Sequence, residues 1–204
     1  LFFDTINAFH KSAALKAGVD LDLFSAIGST PATAAELAQR CKASERGIRI
    51  LADYLSILGF LTKEDGRYAL TPDSAFFLVR SSPAYCGSAA GVLHAPSIAG
   101  CFDDLAAAVR KGGTATTEHG TIAPGHPVWE EFARAMGPMM IPPANGAAAL
   151  VSLPQDRPVR ILDVAAGHGA YGITFARKNP LAQIVALDWP NVLKIAQENA
   201  LAAG

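Results

Sequence analysis

Residues 161–172 read Ile-Leu-Asp-Val-Ala-Ala-Gly-His-Gly-Ala-Tyr-Gly, and Leu187-Asp188-Trp189-Pro190 follows downstream. An apolar strand ends in an acid, a glycine turn opens a helix, and the next strand ends in a second acid. That order places a nucleotide-type site at the first crossover of a doubly wound sheet. Strand 159–164, helix 170–178, strand 183–187 and helix 192–202 make a β-α-β-α start. The chain ends at Gly204, so 157–204 read as the N-terminal part of a Rossmann-like domain whose sheet is begun and not completed.

Upstream the periodicity is helical. Phe2, Ile6, Phe9, Ala13 and Ala17 share one face, with Gly18 predicted to end that helix. Thr33 with Glu36 reads as a capping box, and Ser44 caps a helix whose apolar stripe is Ile48, Leu51, Ala52, Leu55 and Leu58. Asp65-Gly66 between Phe60-Leu61-Thr62 and Arg67-Tyr68-Ala69-Leu70 is a hairpin signal. Helix, helix, helix, hairpin reads as a winged helix within a domain spanning 1–83. Residues 84–156 read as a helical linker with Phe102, Leu105 and Val109 on one face, a Gly/Thr/Pro loop over 112–127, and a helix from Val128 to Met140 interrupted by Pro142-Pro143. The predicted fold class is therefore a mostly α winged-helix N-terminus and helical linker, followed by the start of an α/β doubly wound domain.

Composition narrows the function. With 204 residues, 50% apolar, and a formal net charge of −1, the chain can bury a core and carries no basic footprint for nucleic acid or an anionic membrane. No apolar run reaches spanning length. Cys41, Cys86 and Cys101 are far apart, with no metal or disulfide spacing, and the five histidines form no ligand set. No metal is expected. With no targeting signal in view, a reduced cytoplasmic protein is the default expectation.

The glycine turn admits two ligands. A strand rising into a helix presents backbone N–H groups and a positive helix end, and Gly167 and Gly169 let a ligand lie against the backbone. Asp188 can accept two hydrogen bonds from a ribose diol. Gly167-His168-Gly169-Ala170-Tyr171-Gly172 fits the dinucleotide fingerprint GxGxxG, which makes NAD one reading. Asp163 would set negative charge beside a pyrophosphate, and would instead pair with a cationic ammonium. S-adenosylmethionine, with an ammonium, a sulfonium and no phosphate, is the other.

Residues 161–169 resemble the first motif of class I S-adenosylmethionine-dependent methyltransferases, with Ala165 in place of the first glycine. Leu187 to Val192 resemble the Asp-Leu-Pro-x-Val segment of the small-molecule O-methyltransferases, and Trp129 to Met136 resemble that family's Phe-Asn-x-x-Met helix, with Ala133 in place of Asn. The resemblance implies a methyl transfer from S-adenosylmethionine to a small-molecule acceptor, by default a hydroxyl oxygen. It implies cofactor contacts from Asp163, Ala165, Gly167, Gly169, Asp188 and Trp189, substrate contacts from Trp129, Phe132 and Met136, and a homodimer through the winged helix. That family's histidine base lies in a later region, so no catalytic residue is assigned up to Gly204, and the fragment alone is expected to be inactive. Two other classes compete. A winged-helix DNA-binding regulator would read through helix 44–58, yet only Arg46 and Arg49 offer cations there, beside Glu45 and Asp53. A purely structural dimerisation module is the third.

Overall fold

The computed structural model describes residues 1–113, 115 and 125–204. Among these residues the chain is mostly helical with two small sheets, and it divides into two compact units, Leu1–His94 and Ala95–Gly204.

The first unit opens with α1 (Phe2–Ile6) and α2 (Ala8–Asp20), followed by α3 (Leu23–Ile27). The single N-terminal helix expected from the periodicity is divided at Asn7, and Gly18 lies inside α2 rather than ending it. A Cβ at Gly18 would stand 3.0 Å from the Phe24 ring and 3.2 Å from Leu55, so this glycine serves close helix packing. Next come β1 (Ala32–Thr33), α4 (Ala34–Arg40) and α5 (Glu45–Ile57). The capping box forms as read: Glu36 N–H donates to Thr33 Oγ1 (3.3 Å), and Thr33 N–H donates to Glu36 Oε2 (2.7 Å). Ser44 Oγ accepts from Gly47 N–H at 3.1 Å, and α5 buries Ile48, Ala52 and Leu55.

Asp65 (φ 47°) and Gly66 (φ 75°) make the two-residue turn joining β2 (Leu61–Glu64) to β3 (Arg67–Leu70), the left-handed pair that a tight hairpin requires. β1 pairs antiparallel on the far side of β3, giving the order β1-β3-β2. Tyr68, on β3, is buried with Phe24, Leu37 and Leu55, and its hydroxyl donates to Asp53 at 2.7 Å. Hydrogen bonds from Lys63 and Tyr68 hold the Asp53 carboxyl below its ordinary value. Arg49 pairs with the same carboxylate at 3.5 Å, so this cation of the helix is engaged within the fold. The unit closes with α6 (Pro72–Phe77) and α7 (Ser88–Leu93).

The second unit begins with α8 (Pro96–Ala99), a 3-10 turn over Gly100–Phe102, and α9 (Leu105–Lys111). The alanine-rich stretch 84–111, expected to be helical, forms a series of short helical pieces, and Phe102, Leu105 and Val109 are exposed. The glycine- and threonine-rich loop falls mostly outside the described residues. α10 (Val128–Leu150) then runs unbroken through Pro138, Pro142 and Pro143, against the expected interruption. Each proline removes one donor, freeing the carbonyls of Arg134, Pro138 and Met139. Arg134 and Met139 are exposed residues, where a freed carbonyl costs less than in a core.

β4 (Val159–Val164), α11 (Ala170–Lys178), β5 (Ala182–Leu187) and α12 (Pro190–Ala202) complete the chain. The two strands are parallel, with Asp163 opposite Ala186 and Val164 opposite Leu187. α10 packs along α11 and α12, and buried Ala133, Val192 and Ile195 form the small core between them. Lys178 Nζ reaches the carbonyls of Ala148 and Val151 at the end of α10, and buried Asn179 donates to Pro154. Leu162, Val164, Val185 and Leu187 stay exposed on the strands. Among the described residues no helix is long and apolar enough to cross a membrane.

Candidate functional site

The turn between β4 and α11 is left-handed at Ala165 (φ 55°), Gly167 (φ 56°) and Gly169 (φ 85°). The Ala166 N–H reaches back to the Leu187 carbonyl at 3.2 Å, tying the turn to the end of β5. Gly169 opens α11, and a Cβ there would meet that of Ala196 on α12 at 3.2 Å. Ala165 carries the cost of a side chain in this region, about 1–2 kcal/mol. Its methyl is exposed, so little packing offsets that cost. Ala165→Gly is expected to leave stability unchanged or raise it by up to about 1 kcal/mol, since glycine's greater unfolded freedom cancels part of the relief. A chemical-denaturation midpoint checks this, and a marked loss would show the backbone there to be unstrained.

Asp188 follows directly on β5. Its Oδ2 accepts from Gly167 N–H at 2.8 Å and its Oδ1 from Trp189 N–H at 2.7 Å. A carboxylate has about four acceptor sites, so each oxygen keeps one for a ligand. Above the turn lies a cavity of about 360 Å³. Ala165, Gly167, Asp188 and Trp189 line it from the strand ends, and Trp129, Phe132 and Met136 line it from α10. The Trp129 and Phe132 rings meet edge to face at 5.7 Å. Asn191 Nδ2 donates to Glu130 at 3.0 Å and joins the starts of α12 and α10.

Asp163 and Gly169 are placed elsewhere. Both line a separate space of about 380 Å³ between the strands and α11 and α12. The Asp163 carboxylate, read from sequence as a partner for an ammonium, accepts from Gly172 N–H at 3.0 Å in the first turn of α11. The anion-binding end of that helix is thus engaged by the protein's own acid. The close approach at Gly169 is to Ala196 rather than to the cavity. Tyr171 and Val192 line the cavity and were not singled out from sequence. Their signal was position, each standing in the first turn of the helix that follows a site strand. Among the described residues no cluster of His, Cys, Asp and Glu could hold a metal ion.

Residues 3–80 match the O-methyltransferase dimerisation domain family. Over its whole length the chain is 30% identical to the 3-hydroxy-5-methyl-1-naphthoate 3-O-methyltransferase of Streptomyces sahachiroi, 59% of which it covers. An inferred O-methyltransferase from Nostoc punctiforme superimposes with a TM-score of 0.94 at 50% identity, over 100% of this chain and 61% of that one. Human N-acetylserotonin methyltransferase in complex with SAM shares the fold, with a TM-score of 0.78 at 24% identity over 97% of this chain and 61% of that one. The chain thus spans about three-fifths of each of these relatives. The resemblance to small-molecule O-methyltransferases read from the motifs is borne out.

Proposed function

We propose that this chain forms the N-terminal part of an S-adenosylmethionine-dependent O-methyltransferase acting on a small molecule. The observation that carries the choice of cofactor is the bond from Gly172 N–H to Asp163. It leaves a negative charge where the pyrophosphate of NAD would seek the helix end, and a cationic donor meets no such repulsion. When bound, S-adenosylmethionine supplies an electrophilic methyl group, which an acceptor oxygen takes with loss of its hydroxyl proton. Asp188 would hold the ribose hydroxyls on its remaining acceptor sites, Gly167 and Ala165 would offer backbone beside the donor, and Trp189 would lie against it. Asp163 and Gly169 would position the turn. Trp129, Phe132 and Met136 would form the acceptor wall, an apolar surface that expels water and orients an aromatic body. The name of the Streptomyces relative, a naphthoate O-methyltransferase, supports such an acceptor.

The test is transfer of isotope-labelled methyl from S-adenosylmethionine by the full-length enzyme to a panel of phenols and naphthols. Labelled methyl ether is the expected product, and labelled amine from matched anilines with no ether would redirect the reading.

We divide the chain as 1–83, a winged-helix dimerisation platform, 84–156, a helical and substrate-facing linker, and 157–204, the start of a Rossmann-like donor domain. The match over residues 3–80 supports the platform, as does the exposure of Phe2, Phe3, Ile6 and Phe9, four large apolar side chains on the first two helices. A homodimer covering them is expected by light scattering at micromolar concentration, with Phe3→Asp plus Ile6→Asp giving monomer. A monomeric parent protein would contradict this division of roles.

A further inference from the structure

We propose that His168 is the positioning residue that keeps the acceptor wall in register with the donor turn. The proposal rests on the donor reading above. His168 follows Gly167, whose N–H binds Asp188. Gly137 follows Met136, which lines the cavity from α10. Between these two pairs, His168 Nε2 lies 2.8 Å from the Gly137 carbonyl oxygen. A carbonyl only accepts, so the ring donates here through Nε2–H, and it does so whether neutral or cationic. That nitrogen is thereby withheld from proton abstraction.

The contact is built from both sides. A Cβ at Gly137 would stand 2.5 Å from His168 Cδ2, so the helix gives way to the ring at this one residue. Glycine in a helix interior costs about 1 kcal/mol relative to alanine, a cost this contact explains. On the other side the His168 carbonyl accepts from Asn199 Nδ2 at 2.8 Å, which ties the turn to α12. α10 is also held to the end of α11 by Lys178, near its own C-terminus. Glu130 and Arg134 tie α10 to α12 through Asn191 and Glu198, and His168 ties α10 to the donor turn itself. His168 lines both the cavity and a second groove of about 500 Å³. Methyl transfer needs the acceptor oxygen in line with the donor, and a misplacement of about 1 Å can cost roughly a hundredfold in rate. His168 sets that spacing without touching the reacting atoms.

The test uses S-adenosylhomocysteine as the probe and the chain's two tryptophans, both of which line the cavity, as reporters. Labelling the full-length enzyme with 5-fluorotryptophan gives each a fluorine resonance, and that of Trp129 is assigned by its loss in a Trp129→Phe protein. In the parent protein saturating S-adenosylhomocysteine shifts the Trp129 resonance. In His168→Ala the probe is expected to bind with a Kd within about threefold of the parent, while most of the Trp129 shift is lost. His168→Gln, whose amide can donate to the same carbonyl, is expected to restore it. Gly137→Ala, pressing on the ring from the helix side, is expected to reproduce the loss, so the test survives if His168→Ala fails to fold. A merely structural role would lower the unfolding midpoint without selective rescue by glutamine. Binding by the parent with no Trp129 shift, a full shift in His168→Ala, or no rescue by His168→Gln overturns the proposal alone. No binding of the probe by the parent overturns the donor reading and this proposal together.

Discussion

Asp188→Ala is expected to weaken binding of S-adenosylmethionine by about 1.5–3 kcal/mol, the range for hydrogen bonds to a charged group, which is roughly a 10- to 150-fold rise in Kd. Two losses combine. The ribose loses its acceptor, and the turn loses the brace that Asp188 supplies to Gly167 N–H (2.8 Å) and Trp189 N–H (2.7 Å). Asp188→Asn keeps the shape but replaces one acceptor by a donor, so most of the loss should persist. Titration calorimetry of both variants beside the parent checks this, and unchanged affinity would remove Asp188 from the donor site.

Gly172→Val is expected to destabilise the fold by about 3 kcal/mol, the upper end of the usual cost of overpacking. A Cβ at Gly172 would lie 2.7 Å from Ile184 Cγ2 and 3.2 Å from Asp163 Oδ2. Ile184 sits on β5, and its γ2 methyl is close to the backbone and cannot swing away. Pushing α11 off the strands would also break the Asp163 bond to Gly172 N–H. Gly146 in α10 is the control, because nothing lies within 4 Å of its would-be Cβ. There alanine should stabilise by about 0.5–1 kcal/mol through helix propensity alone. Denaturation midpoints moving the same way in both variants would contradict the packing account.

Where the governing interaction is local in sequence, the sequence was legible. The Thr33–Glu36 capping box, the Asp65-Gly66 turn and the strand–turn–helix from Ile161 onward each lie within a few residues, and each formed as read. The candidate site was also largely legible, since one short motif supplies each wall of the cavity. What escaped depends on distant partners. Gly18 read as a helix end until Phe24 and Leu55 came against it, and Gly137 carried no signal of its contact with His168. The Asp163 carboxylate turns toward Gly172, nine residues on, whose N–H donates to it. The Pro142-Pro143 pair looked like a stop, and neighbouring helices carry α10 through it. The third strand, β1, was invisible because two residues, Ala32 and Thr33, give no period to read.

The most direct measurement of the central claim is a calorimetric titration of the full-length enzyme with S-adenosylmethionine, set beside the same titration with NAD. The account predicts saturable one-site binding of S-adenosylmethionine, lost or strongly weakened in Asp188→Ala, and no saturable binding of NAD. Saturable NAD binding, or an S-adenosylmethionine isotherm indifferent to Asp188, would contradict it.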